Sequence, residues 1–344
     1  MEERLLQSLM RSEAYEDMPG SITLKQTHIS YIFITDRYVY KVKKPVDFGF
    51  LNFTTIDRRR FYCEEEVRLN RRLSPDVYLG VSEVRLTSEG ASFHGSGSVI
   101  DYAVKMLRLP DERMLDRLVD AGEVDEDTIL RIASKVAKFH LAAEKSAEID
   151  RFGTVDSIRQ NWDENFGQVD QFSEEIISAG DLSLLREWVD RFLAENYRLF
   201  TNRIEGGFIR DCDGDLHLSN ICAGNEIWIF DCIEFNNRFR YLDTASDIAF
   251  LLMDLDFHYR SDLAVIFLAE YCRLTGDYGC RTLIDFYKVY RAVVRGKVSG
   301  LLTRDAGIAE SEREAALERA VGYFRLARGY LLCRTLPKTL IIVF

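Results

Sequence analysis

The chain has 344 residues, with 45 Lys and Arg against 56 Asp and Glu and a formal net charge of -11 at pH 7. That balance argues against a general binder of nucleic acid or of anionic membrane surfaces, both of which need a basic face. Such a length, 47% apolar, suits one large domain or two lobes folded around a sizeable core.

Seven cysteines, at positions 63, 212, 222, 232, 272, 280 and 333, form no CxxC pair, so reduced and mostly buried thiols are expected. Residues 1 to 17 mix acidic and basic side chains without an apolar core, unlike a signal peptide. No apolar run approaches a membrane-spanning length. The expectation is a cytoplasmic protein.

Leu5, Leu6, Leu9 and Met10 share one helical face, which predicts a short lead-in helix ended by Pro19-Gly20. From Ile22 to Val42 β-branched and aromatic residues dominate, and Thr35-Asp36-Arg37 divides them into a β-hairpin. Arg58 to Leu73 lacks Gly and Pro and reads as a helix ending before Ser74-Pro75. Val77 to Leu86 and Ser92 to Leu107 alternate like strands. Residues 1–109 thus form a small β-rich lobe with one long helix. Residues 110–335 have helical texture: Asp127 to Glu144, Leu182 to Phe200, Asp243 to Asp256, Ser261 to Leu274, Thr282 to Val298 and Ser311 to Leu332. A second hairpin is predicted where Ile221-Cys222-Ala223 and Ile227-Trp228-Ile229-Phe230 flank Gly224-Asn225-Glu226. Residues 336–344 form a strand-like tail. The fold class is α+β.

The richest stretch for chemistry runs from Ile209 to Ile233. Asp215 and Asn220 bracket a short loop, and Asp231 follows a hairpin arm. A carboxylate, an amide and a second carboxylate at one end of a small sheet suit a magnesium-nucleotide site. Mg²⁺ takes one or two hard oxygen ligands from protein and fills its octahedron with water and phosphate. Phosphoryl transfer to a hydroxyl also needs a carboxylate to accept a proton. No GxxxxGK[ST] loop is present, so phosphates must be met by another cation. Strand parity favours Lys41, because Val39 then lies beside it as an apolar ceiling for a base. Lys43 and Lys44 are expected to be solvated. A lone strand lysine is usually a surface charge, but Glu66 on the following helix supplies a partner. Glu64 and Glu65 are expected to face solvent.

Asp213-Gly214-Asp215-Leu216-His217-Leu218-Ser219-Asn220, followed by Ile229-Phe230-Asp231, resembles the catalytic loop and metal aspartate of the aminoglycoside phosphotransferase family. The order of parts agrees over roughly residues 20 to 300. The resemblance implies a protein-kinase-like two-lobed fold with a larger, mainly helical C-terminal lobe. It also implies Asp215 as catalytic base, Asn220 and Asp231 on Mg²⁺, Lys41 on the α and β phosphates of ATP or GTP, and Glu66 orienting Lys41. The base of the nucleotide would lie against the strand from Tyr102, with Met106 to Leu109 as the hinge, so that Val39, Met106 and Leu107 flank it. One departure stands out: Asp213 occupies the family's usual His position.

Other residues have plainer readings. His217 suits a hydrogen-bonded loop histidine better than a ligand. Asp243 and Asp247 either cap a helix or, for Asp247, brace the catalytic loop. Asp211 and Asp213 are structural, or help bind metal or a cationic acceptor. The basic stretch Tyr287 to Val298 resembles a helix of a subgroup in which this domain is joined to a P-loop ATPase domain. There Arg291, Arg295 and Lys297 either meet an anionic acceptor or serve internal contacts. The apolar tail Leu336 to Phe344 fits the same subgroup, since such a run precedes a phosphate-binding glycine loop. The function implied is transfer of a γ-phosphoryl group to a hydroxyl of a small molecule, with no nucleic-acid or membrane partner. The alternative is a nucleotide-binding regulatory module with little turnover, partner to an ATPase domain. A kinase acting on proteins fits less well, because Cys232 to Asp243 passes almost directly into a helix.

Overall fold

The computed structural model describes residues 2–335 other than 173 and 306. Within it the chain divides into two compact units. Among the described residues one comprises 2–123, 213–215 and 219–240, and the other 124–212, 216–218 and 241–335.

The first unit is organised by an antiparallel six-stranded sheet, in the order β1-β2-β3-β6-β4-β5. Its strands are β1 (Thr23–Gln26), β2 (Ser30–Ile34), β3 (Tyr38–Lys43), β4 (Tyr78–Thr87), β5 (Gly90–Ser92) and β6 (Ser98–Leu107). The expected hairpin therefore has a third strand, and the expected strand from Ser92 is shorter. Residues 93–97 turn instead, with Gly95 at φ +86°, a left-handed conformation that costs glycine little. Alternation along β3 sends Tyr40 and Val42 to one core, with Phe33 and Tyr15, and leaves Val39, Lys41 and Lys43 on the opposite face. That second face carries another cluster, in which Val39 packs with Val104, Met106 and Trp228. It is covered by helix α2 (Ile56–Asn70), whose N-terminus is capped by the Thr55 hydroxyl accepting from the Arg58 amide.

The lead-in helix α1 spans only Glu3–Ser8. At its end the Ser8 hydroxyl donates to the Leu5 carbonyl one turn back and accepts from the Ala91 amide of β5. Helix α3 (Leu115–Asp120), the hairpin β8 (Ile221–Ala223) and β9 (Ile227–Ile229), and helix α9 (Asn237–Arg240) complete this unit; strand β7 (Ile209–Asp211) belongs to the other. The hairpin lies where the sequence places it.

The second unit is helical, with α4 (Glu126–Ala142), α5 (Ala147–Asp150), α6 (Val155–Val169), α7 (Ala179–Glu195), α8 (Tyr197–Glu205), α10 (Thr244–Phe257), α11 (Ser261–Thr275), α12 (Ile284–Leu302) and α13 (Glu310–Thr335). Strands β7 and β10 (Tyr241–Asp243) pair antiparallel within it. The single helix expected over 182–200 is two, because Asn196 leaves helical geometry and its side chain donates to the Phe192 carbonyl. Helix α6 escapes the aliphatic pattern because Trp162 and Phe166 anchor it, Trp162 edge-on to Phe286. Helix α10 is buried from Thr244 to Leu255, so it forms the centre of the unit. No helix among the described residues is long and apolar enough to cross a membrane. The tail at 336–344 lies outside the described residues.

Candidate active site

Strand β3, helix α2 and the chain after β9 bring charged side chains together in the first unit. The Lys41 Nζ lies 3.1 Å from Glu66 Oε1 and pairs with Asp231 Oδ1. Burial alone would lower the Lys41 ammonium, but Asp231 and Glu66 outweigh it and hold it well above its usual range. Burial likewise opposes the Glu66 carboxylate, yet Lys41 and then Lys43 hold it down at about 2. Glu66 is therefore ionised across the physiological range.

Lys43 corrects the sequence expectation. It is fully buried rather than solvated, 2.7 Å from Glu66 Oε2, and also bonded to Glu234 Oε1. Its aliphatic stem and ammonium lie over the Phe53 ring, 4.9 Å from the centroid. Lys41 and Lys43 share one face of β3, as strand parity requires, and both ammonium groups reach Glu66. Sequence inspection missed Glu234, whose only signal is its place three residues after Asp231. Glu64 is exposed as expected, while Glu65 is half-buried beside Arg68. Lys44 is half-buried over the Tyr31 ring.

Asp231 sits at φ +65°, outside the range most side chains adopt. Aspartate tolerates the left-handed region better than β-branched residues do, and such backbone clusters at functional positions. The surroundings enforce it: the Asp231 amide donates to the Tyr78 hydroxyl at 3.0 Å, and the Cys232 amide to Asn70 Oδ1 at 2.9 Å. Ser74 Oγ donates to the Ile229 carbonyl and accepts from the Ile229 amide. The C-terminal turn of α2 and the residues after it thus fix the chain on both sides of Asp231, while its side chain stays 44% exposed.

Asn220 Nδ2 donates to Asp215 Oδ2 and to the Asp215 carbonyl, both at 3.1 Å. That leaves the amide oxygen of Asn220 as its remaining donor to a cation. The Phe230 amide donates to the Asn220 carbonyl at 3.0 Å, tying this residue to the arm that carries Asp231. Asp213 is buried, and its carboxylate accepts from the Asp215 amide at 3.1 Å. Its own carbonyl accepts from the Ile233 amide. Asp213 thus shapes the loop from within. Gly214 has φ +89°, and a Cβ there would lie 2.6 Å from the Phe239 carbonyl, so only glycine fits between the two aspartates.

Val39 and Met106 are cross-strand partners, and both pack in the cluster on the Lys41 face. Leu107 ends β6 opposite Tyr38, is 37% exposed, and donates its amide to the Val77 carbonyl.

The helical unit holds the remaining candidates. His217 is buried against Phe250. Asp243 caps α10, accepting from the Ala245 amide. Asp247 accepts from His140 Nε2 at 3.0 Å, and His140 Nδ1 meets the Tyr271 hydroxyl at 2.8 Å. His140, Cys212 and Asp247 lie close enough to hold a metal. Both ring nitrogens of His140 are engaged, however, which satisfies the cluster as a buried hydrogen-bond network. Asp254 accepts from the Leu218 amide. Arg291 is buried over Phe250 and donates to the Ser246 carbonyl, and Arg295 donates to the Tyr323 hydroxyl. Both serve internal contacts. The six described cysteines are buried and none of them forms a disulfide with another, and burial pushes the Cys63 thiol up to about 12.

No family model matches the chain. It is 35% identical over 278 residues to an uncharacterised protein of Mycobacterium tuberculosis (strain H37Rv), and equally to one of Mycobacterium bovis; these residues make up 80% of the chain. The chain spans about half, 54%, of the length of these curated relatives. Among solved structures it is similar to an amicoumacin kinase in complex with AMP-PNP, Ca²⁺ and its antibiotic, with a TM-score of 0.51 at 14% identity. That likeness covers 96% of this chain and 94% of the kinase. An aminoglycoside 2'-phosphotransferase in its GDP complex follows, with a TM-score of 0.49 at 12% identity over 97% and 99% of the two chains. The fold is thus protein-kinase-like, with a small β-rich N-terminal lobe.

Proposed function

We propose that the protein is a small-molecule phosphotransferase that moves the γ-phosphoryl group of ATP or GTP to an acceptor hydroxyl. The observation that carries this reading is the convergence of Lys41, Glu66 and Asp231 in one unit with the Asn220–Asp215 hydrogen bond. Asn220 and Asp231 offer hard oxygen donors, which fit Mg²⁺. The bound cation would supply charge neutralisation on the phosphates.

Lys41 in this reading turns its ammonium to the α and β phosphates. Glu66 keeps that ammonium charged and in place. Val39, Met106 and Leu107 offer apolar surface to the nucleotide base. Asp215 accepts the proton of the attacking hydroxyl, and the Asn220 amide on its Oδ2 fixes the rotamer from which it does so. Positioning and charge are nearly all that this chemistry needs. The similar kinase is solved with an ATP analogue and a divalent cation, which supports a nucleotide-metal site here. The longer relatives leave room for the P-loop ATPase domain suggested by the sequence resemblance, and we include such a partner in the proposal.

Purified protein incubated with Mg-ATP or Mg-GTP and a panel of amino sugars, sugars and amino alcohols tests the reading. Transfer that disappears in Asp215→Asn is expected. Transfer that survives the substitution would remove Asp215 as the base. Nucleotide binding without transfer to any acceptor would favour a regulatory module.

A further inference from the structure

Beyond the lysine and glutamate of the proposed site, the first unit contains a second buried pair with no role in that scheme. The side chains alternate in sign along one line: Asp231, Lys41, Glu66, Lys43, Glu234. Their side-chain exposures are 44%, 12%, 0%, 0% and 4%, so the line opens to solvent at the Asp231 end and is sealed at the other. Three structural elements supply it. Strand β3 gives the two lysines, the chain after β9 gives Asp231 and Glu234, and α2 inserts Glu66 between them.

From this geometry we infer that Lys43 and Glu234 are positioning residues, which fix the Glu66 carboxylate and the chain behind Asp231 and thereby set where the Lys41 ammonium stands. The inference rests on the phosphotransferase reading. Glu66 has two carboxylate oxygens and divides them, Oε2 to Lys43 at 2.7 Å and Oε1 to Lys41 at 3.1 Å. The shorter contact anchors the carboxylate, and the longer leaves Lys41 shared with Asp231. Without Lys43, Lys41 would be the one lysine left in the line to neutralise Glu66, and the attraction would draw it away from Asp231 and from any phosphate. Glu234 keeps Lys43 charged despite full burial, since its carboxylate and that of Glu66 outweigh the desolvation of the ammonium. Of the three carboxylates in the line only that of Asp231 is substantially exposed, so it is the one placed to meet a divalent cation.

A purely structural pair makes a different prediction. Replacing a buried ion pair by apolar side chains of similar volume is often neutral for stability. The double substitution Lys43→Met with Glu234→Met removes both charges of the sealed end together and separates folding from positioning. The expected result is a melting temperature near that of the wild type, with kcat lowered roughly 10- to 100-fold and the KM for nucleotide nearly unchanged, as for a loss of transition-state geometry. Lys43→Arg, which keeps the charge, should recover part of kcat. A double variant with wild-type kcat would overturn the inference. If the double variant does not fold, Glu234→Gln keeps the shape, and the same kcat criterion applies to it.

Should the wild type show no transfer at all, the phosphotransferase reading fails separately, and crystal structures decide the positioning claim. Opening of the Lys41–Asp231 contact beyond about 4 Å, the limit of an ion pair, is expected in the variant. Its persistence at the wild-type distance would overturn the claim.

Discussion

The buried charge line around Glu66 and the buried cluster around Arg203 in the helical unit use the same kinds of side chain and differ in closure. Arg203 donates from Nε to Asp243, from both terminal nitrogens to Asp277, and again to Asp243 and Thr244. Its carboxylate partners have further duties inside the fold: Asp243 caps α10, and Asp277 accepts from the Cys280 amide. Arg203, Asp243 and Asp277 are each no more than 5% exposed, so the cluster is satisfied from within. The Glu66 line ends on a half-exposed carboxylate held in left-handed backbone. A closed cluster specifies structure, whereas an open one leaves charge for a ligand. The difference is visible in the geometry before any reaction is assumed.

The sharpest way to break that contrast is at Asp215, the proposed base. Asp215→Asn should cut phosphoryl transfer by roughly a thousandfold or more while nucleotide binding and melting temperature stay near wild type. A parallel loss of folding would mean that the residue belongs with the closed cluster. Arg203→Met makes the opposite prediction. It strands two buried carboxylates and should cost about 3–5 kcal/mol of unfolding free energy in a denaturant titration, with the transfer rate per folded molecule unchanged.

Acid provides a third comparison. The Glu66 carboxyl is held at about 2 in the folded protein against 4.5 when unfolded. A depressed folded value contributes stability that is complete above the unfolded value and is lost as pH falls from about 4.5 towards 2. Glu66 should therefore contribute on the order of 2–3 kcal/mol at neutral pH, most of it lost near pH 2. Equilibrium unfolding of the wild type and Glu66→Gln between pH 7 and 3 would show it: the wild-type curve should fall more steeply. Parallel curves would remove Glu66 from the account of acid sensitivity.

How much of this was legible in the sequence follows from the range of each interaction. The β8–β9 hairpin and the loop before it could be read because their signals lie within 25 residues and need only a turn and a hairpin. Lys41 and Glu66 could be paired because strand parity and helix phase limit where each side chain points. Lys43 was misread as solvated because burial of an ammonium depends on Glu234, 191 positions away, and no local pattern announces such a partner. Helix α6 was missed for a related reason: its anchors are aromatic and its apolar stripe is thin, so packing on Phe286 rather than aliphatic periodicity holds it. Asp254 meets the Leu218 amide, a contact that only the three-dimensional path of the loop decides.

The smallest expected effect tests a residue that the sequence offered as an acceptor contact. Lys297 on α12 is half-buried, and desolvation, partly opposed by Glu164, lowers its ammonium from 10.5 to about 8. The folded protein then binds its proton more weakly than the unfolded chain, so the charged side chain costs stability below about pH 8, and the cost fades as pH rises towards 10.5. Lys297→Met should stabilise the protein by about 1 kcal/mol at pH 7, a figure discounted for residual solvent screening. At pH 10 the gain should vanish. Transfer activity should not change, because in this account the desolvated ammonium serves neither cluster. An unchanged melting temperature accompanied by a raised KM for the acceptor would reverse the assignment and make Lys297 a ligand contact, extending the open, ligand-facing class of charges into the helical unit.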